Sequence, residues 1–276
     1  MCWFESGQGH HLSKIVEMSS DKQDHLERAQ LEKLKHFLHL PEIPHANAPC
    51  NYRFREPGHY NGSNWPESDL SPFVMLSDQA TETIAAAHPD LYGEKRYALY
   101  HQWQQWNKHA FLVLEKQLAE EKWAAIAVSI ILPISETGFH ALKNGKSVLA
   151  LESSDMTPAD ETAKHLLLDT WIIEPAFRRV NEGYGRLLVL KHLSNLWDPG
   201  RNPEMKIMAE PDHEGVRQMA ELCYFVRQDT PGTENLYVLD ANAENIAHHK
   251  ILRMLAKNIE YCRQESDIPR PAQRSI

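Results

Sequence analysis

Between Ile173 and Leu188 the chain reads Ile173-Glu174-Pro175-Ala176-Phe177-Arg178-Arg179-Val180-Asn181-Glu182-Gly183-Tyr184-Gly185-Arg186-Leu187-Leu188, an apolar run turning through glycines into a second apolar run. The chemistry available there is that of an anion site. Glycine lets a backbone turn tightly and come close to a ligand, and the first N–H groups of a helix have no intrahelical acceptor, so they point at any negative group that docks. A pyrophosphate suits such a turn, and the helix dipole with Arg178, Arg179 and Arg186 adds favourable charge. The plainer alternative is a strand-to-helix turn with solvated arginines. No comparable case exists for a metal. The sixteen histidines include no HExxH, and His10-His11, His36 with His39, and His248-His249 have no carboxylate or cysteine companions at ligand spacing. Cys2, Cys50, Cys223 and Cys262 form no CxxC pair and read as free thiols.

This turn resembles the central signature of the GNAT superfamily of N-acetyltransferases, a strand ending in V-x-P followed by Q/R-x-x-G-x-G/A at the start of a helix. Ile173-Glu174-Pro175 is similar to V-x-P and Gly183-Tyr184-Gly185 to G-x-G, with Arg179 one residue further from the glycines than the family's Arg or Gln. A second stretch, Lys206 to Ala209 followed by Ala220-x-x-x-Tyr224, resembles the family's A-x-x-L-Y segment, with Cys223 at the Leu position.

The resemblance implies an α/β (α+β) fold with a mixed, mostly antiparallel central sheet flanked by helices. It implies acetyl-CoA, or another acyl-CoA, as co-substrate, with no metal. The edge of the strand at Ile172 and Ile173 would pair with the pantetheine amides, and the backbone from Glu182 through Gly183, Tyr184 and Gly185 to Arg186 would hold the pyrophosphate. Tyr224 would protonate the departing thiolate. The attacking amine must be uncharged, so a carboxylate must serve as base. Asp169 and Glu174 are the carboxylates on the strand, Asp169 near the position from which some members present a base.

The elements that must position these residues follow from periodicity. Ser20-x-x-Gln23 opens a helix over about 21–40, and Pro41, Pro44, Pro49, Pro57, Pro66 and Pro72 mark a connector lacking long elements. Helical spacing from Thr81 to Lys108 carries an aromatic face, Tyr97, Tyr100, Trp103 and Trp106, read first as core and second as a wall of the acceptor cleft. Phe111–Lys116 and Trp123–Ile134 make a hairpin, and Ser147–Leu151 and His165–Glu174 are further strands. A helix spans Tyr184–Trp197, a strand Lys206–Ala209, a helix capped by Asp212 includes Tyr224, a strand covers Asn235–Leu239, and one helix spans Asn242–Tyr261. The expected division is an N-terminal helical extension over 1–70, an acyltransferase-like domain over 71–262, and a flexible tail over 263–276.

Composition narrows the function classes. With 42% hydrophobic and 24% charged residues the chain is ordinary globular material. A formal charge of −9 and no Lys/Arg-rich block argue against a nucleic-acid partner. No apolar run reaches the ~18–20 residues of a membrane span, and no secretory signal is visible, so a cytoplasmic protein is expected; secretion as a bacterial effector stays open as an alternative that the sequence does not show. The acidic balance favours a cationic acceptor, an amine of a small molecule, peptide or protein. Length beyond one compact unit leaves room for a homodimer or a protein partner. The leading reading is an acyl-CoA-dependent N-acyltransferase working by direct attack. Its alternative is a GNAT-like binding or regulatory module without turnover, motivated by the displaced arginine and the missing G-F after Tyr224. An N-terminal-nucleophile amidohydrolase using Cys2 is the third class.

Overall fold

The computed structural model of the protein describes residues 52–55, 94–119, 122–177, 183–211, 214–230 and 235–267, with Thr233. The expected helix over 21–40, the loop Arg178 to Glu182 and the expected cap Asp212 lie outside the described residues. Among the described residues seven strands form one sheet: β1 (Tyr52–Arg55), β2 (Phe111–Ala119), β3 (Lys122–Ile134), β4 (His165–Ile173), β5 (Glu204–Ala209), β6 (Val226–Arg227) and β7 (Tyr237–Asn242), in the order β1-β2-β3-β4-β5-β7-β6. Neighbours are antiparallel except β4 and β5, which are parallel. The helices are α1 (Glu94–Trp106), α2 (Glu136–Lys143), α3 (Tyr184–Leu196), α4 (Glu214–Leu222), α5 (Ala243–His248) and α6 (Lys250–Asp267). This is the mixed, mostly antiparallel sheet with flanking helices that the sequence implies.

Both faces of the sheet are covered, which explains why β3 and β4 read as nearly continuous apolar runs. On one face Val128, Ile130 and Leu132 of β3 pack against Tyr100 and Trp103 of α1 and Phe139 and Leu142 of α2. The aromatic face of α1 is therefore core where its side chains are described, Trp103 being only 1% exposed. On the other face Leu166 and Ile207 meet Leu190 and Leu193 of α3 and Leu252 and Ile259 of α6. A buried polar bridge fastens α3 through the sheet. His192 donates from Nε2 to the His109 carbonyl at 2.9 Å, which leaves Nδ1 to accept from the Ser129 hydroxyl at 2.8 Å.

Three local expectations are revised. Ser147–Leu151 is not a strand: the Ser147 hydroxyl accepts from Leu149 N–H and rolls Val148–Ala150 into a single 3₁₀ turn. The last helix is two helices, because His249 at the joint is extended (φ −97°, ψ 116°) between α5 and α6. Its second piece runs to Asp267, into the expected tail. The proline-marked connector contributes β1, whose Tyr52 and Phe54 pack beside Tyr184 and whose Arg53 and Arg55 both hold Glu115, at 2.6 and 2.9 Å.

Candidate functional site

The site is built on an irregularity in β4. Thr170 pairs with Ile130 and Leu168 with Ile131, so Asp169 is the extra residue of a β-bulge. The insertion shifts the alternation of faces: Leu166 and Leu168 pack with α3 and α6 before it, and Trp171 and Ile173, of opposite parity, pack beside the start of α3 after it. At the same place β4 and β5 part company. Their pairing runs from His165↔Lys206 to Leu168↔Ala209 and ends there, whereas β3 accompanies β4 to Ile173. Asp169 is half-buried at this fork, and its Oδ2 accepts from the Thr170 hydroxyl at 2.8 Å.

Beyond the fork, Ile172 is buried and Ile173 half-buried, and Glu174 donates its N–H to the Ile126 carbonyl at 2.9 Å. Each glycine of the turn then has its own steric reason. Gly183 is the N-cap of α3 in the left-handed region (φ 60°, ψ 15°), which a side chain adopts only at a cost. A Cβ at Gly185 would collide with Ile173 Cδ1 and sit 3.1 Å from Trp171 Nε1, so only glycine lets α3 settle on the end of β4. Leu187 N–H closes the first turn on the Gly183 carbonyl at 3.0 Å, and among the described residues no side chain caps the amides ahead of it. Tyr184 is buried, its ring edge-on to Tyr52, with the Lys116 ammonium 5.0 Å from the Tyr184 ring and 5.3 Å from that of Phe177. Of the expected phosphate-binding residues, Arg178, Arg179 and Glu182 lie outside the described residues, as does the side chain of Arg186.

Tyr224 is placed differently from the helical position read in the sequence. Helix α4 ends at Leu222, and the chain leaves it through a Schellman motif: Phe225 N–H bonds to the Ala220 carbonyl at 2.9 Å and Tyr224 N–H to the Glu221 carbonyl at 3.0 Å. Tyr224 occupies the left-handed position of that motif, φ 66°, where glycine is the usual occupant. A side chain held there stores about 1–3 kcal/mol of strain. Its ring lies against His249, centroids 4.0 Å apart, and is 39% exposed. Next to it, burial pushes the Cys223 thiol up to about 12, so this cysteine is no nucleophile at neutral pH.

Tyr224 and His249 line an open pocket of about 570 Å³ together with Phe139, Lys143, Lys206 and Asp240, at the edge of β7. The structure thus does not set Tyr224 beside the glycine turn. Lys206 pairs with His165 at the start of β4, and Ile173 ends it, roughly 26 Å further along at ~3.3 Å per residue. Between the two lies the fork at Leu168 and Asp169. Sequence reading missed Phe139, Lys143, Lys206 and Asp240 as parts of one pocket. Phe139 stacks on the buried His165 at 4.3 Å, and His165 Nε2 lies 2.8 Å from Glu136 Oε2. That hydrogen bond is the largest influence holding the Glu136 carboxyl below its ordinary range.

Among the described residues no group of three or more His, Cys, Asp or Glu side chains could hold a metal, and no helix is long and apolar enough to cross a membrane. No protein-family model matches the chain, and no curated protein does. Solved structures do resemble it. The PaiA N-acetyltransferase from Thermoplasma acidophilum, in complex with coenzyme A, aligns at 11% identity over 68% of this chain and 98% of its own, with a TM-score of 0.35. The GNAT-like decarboxylase GphF, in complex with isobutyryl-CoA, aligns at 17% identity over 61% of this chain and 71% of its own, with a TM-score of 0.38. KacTA in complex with DNA aligns at 12% identity over 78% of this chain and 99% of its own, with a TM-score of 0.36. The chain's own topology is a mixed sheet, forked between β4 and β5 beside a glycine turn.

Proposed function

We propose that the protein is an acyl-CoA-dependent N-acyltransferase. The observation that carries this reading is the fork: β4 loses β5 at Leu168, one residue before the bulge at Asp169, and leads into the glycine-built start of α3. An extended pantetheine arm has a strand of matching geometry there at Ile172 and Ile173, in the manner of an added β-strand. A pyrophosphate would meet the amides of Gly183, Tyr184 and Gly185, with Glu182, Arg178, Arg179 and Arg186 in the surrounding turn.

In the reaction an uncharged amine attacks the thioester carbonyl carbon, the C–N bond forms, the C–S bond breaks, and coenzyme A leaves as a thiolate. Two protons must move. Asp169, turned by the bulge and half-buried, takes the proton the amine gives up, directly or through water; Glu174, at the end of the same strand, is the second carboxylate offered for that step. Tyr224 returns a proton to the thiolate from the pocket that opens beside the fork. The acceptor is an amine, and acetyl is the acyl group proposed first.

Titration of acetyl-CoA into the purified protein tests the reading, with Gly183→Asp as control because it places a negative side chain where the pyrophosphate would lie. Binding in the micromolar range that this variant abolishes is expected. Absence of heat at several temperatures, with no thermal-shift response, overturns it. Binding without turnover on a panel of amines would favour the non-catalytic module. Asp169→Asn is expected to lower kcat by ~10²–10⁴-fold with acyl-CoA affinity unchanged.

A further inference from the structure

The pocket at Tyr224 is charged in a particular pattern. Lys143 and Lys206 bring their ammoniums to 5.7 and 5.1 Å from the ring of Phe139, and Lys206 stands directly across the sheet from Asp240. Among the described residues no ion pair within 4.0 Å joins that lysine to that aspartate, nor Lys143 to any carboxylate. A cation and an anion held side by side without neutralising each other are complementary to a ligand carrying both charges on neighbouring atoms. The remaining wall includes the Tyr224–His249 stack, ended by a phenol and an imidazole, and a second carboxylate, Glu221, which accepts from the Tyr237 hydroxyl at 3.4 Å.

Position ties the pocket to the fork. Leu168 pairs with Ala209 and Ala209 with Tyr237, and the next residue of β7, Val238, is on the pocket wall. The wall at Val238 therefore lies two strand spacings, ~9.6 Å, and one residue, ~3.3 Å, from Leu168, where β4 and β5 separate. Asp240 lies three residues, ~10 Å, along β7 from that register, so a ligand's amine reaches the fork after it leaves Asp240. The left-handed Tyr224 adds an independent reason: a strained residue in a position that glycine would fill more easily persists where its side chain has a task.

We propose that this pocket binds the acceptor, and that the acceptor is a free α-amino acid with an aromatic side chain. Lys206, supported by Lys143, takes its carboxylate; Asp240 takes its ammonium before deprotonation; its ring lies on Tyr224 and His249. The assignment rests on the acyltransferase reading for the ligand's role as acceptor, though not for its binding. On acyl transfer the amine nitrogen gains the acyl carbon and gives up a proton as the C–S bond breaks, so the product is an N-acyl amino acid that has lost the positive charge Asp240 recognises. The product is then the weaker ligand.

The test is calorimetric titration of the full chain with L-phenylalanine and with its two halves, phenethylamine and 3-phenylpropionate. L-Phenylalanine is expected to bind at least tenfold more tightly than either half, one charge-assisted contact being worth about a factor of ten or more. Lys206→Gln should weaken L-phenylalanine and 3-phenylpropionate while sparing phenethylamine. Asp240→Asn should weaken L-phenylalanine and phenethylamine while sparing 3-phenylpropionate. Circular dichroism of both variants checks that they fold, and either alone suffices for the comparison. The proposal is overturned if L-phenylalanine binds no better than its halves, or if neither substitution discriminates between them. Acetyl-CoA titrated into the same samples separates the two readings: acetyl-CoA binding without L-phenylalanine binding removes the acceptor assignment alone. L-Phenylalanine binding without acetyl-CoA binding removes the acyltransferase reading, and with it the role of acceptor.

Discussion

The two ends of β4 break the rules of regular backbone in opposite ways. Beyond its last residue the chain passes into α3 through Gly183, left-handed at φ 60°, and Gly185, pressed against Ile173 and Trp171. Beside its first residues, in the pocket of Lys206, the same left-handed conformation is taken by Tyr224 at φ 66°. Glycine adopts that conformation at almost no cost, whereas tyrosine is strained. The first region is therefore shaped for close approach of backbone to backbone, or of backbone to ligand. The second holds a side chain in place against local preference. A turn that uses glycine is informative about space, and a turn that uses tyrosine where glycine would serve is informative about the side chain.

Three experiments sharpen or break this contrast. The largest effect is expected from Gly185→Val, whose added atoms would overlap Ile173 and Trp171; thermal or urea unfolding should show a loss of about 3 kcal/mol. A loss below about 0.5 kcal/mol would mean that α3 does not rest on β4 as described. Next come Gly183→Ala and Tyr224→Gly, which exchange the occupants of the same conformation. The first should destabilise by about 1–2 kcal/mol. The second should be neutral or stabilising, because relief of strain of similar size offsets the lost stack on His249. If both destabilise equally, the distinction between the two turns fails.

The smallest effect is acid sensitivity on the pocket side. Asp155 is buried, and burial alone would raise its carboxyl, but the Lys146 ammonium at 2.7 Å and the Glu152 N–H at 2.8 Å more than offset this and hold it below the ordinary range. A carboxyl lowered in the folded state contributes stability above its unfolded value, near ~4, and that contribution is lost as pH falls through the folded value. Asp155→Asn should therefore flatten the decline of melting temperature below about pH 4. An unchanged slope would place the acid sensitivity elsewhere.

Much of the frame was legible because the relevant signals are local. The strand from His165, the glycines at 183 and 185 and the helix from Tyr184 announce themselves by apolar runs and backbone freedom. The bulge at Asp169 was not legible, since a strand buried on both faces reads as one apolar run whichever side each residue takes. The stop of α4 after Leu222 carries no glycine or proline, and the contact of Tyr224 beyond it is with His249, far along the chain. The same distance hides the pocket, whose lysines come from α2 and β5 and whose aspartate comes from β7. β1 escaped notice because four residues, Tyr52–Arg55, are too short to show a period among so many prolines.

The parallel seam between β4 and β5 has a mechanical consequence. Only four residue pairs join the two antiparallel runs, β1 to β4 and β5 with β7 and β6. The seam is also bridged by the core that Leu166 and Ile207 share with α3 and α6, where Arg263 reaches the Ser194 carbonyl at 2.8 Å and Asp198 at 3.1 Å. Under load the molecule should behave as two plates joined by a short zip and a shared helical cover, with the zip already open at one end, so tension applied across the seam finds its starting notch at the fork.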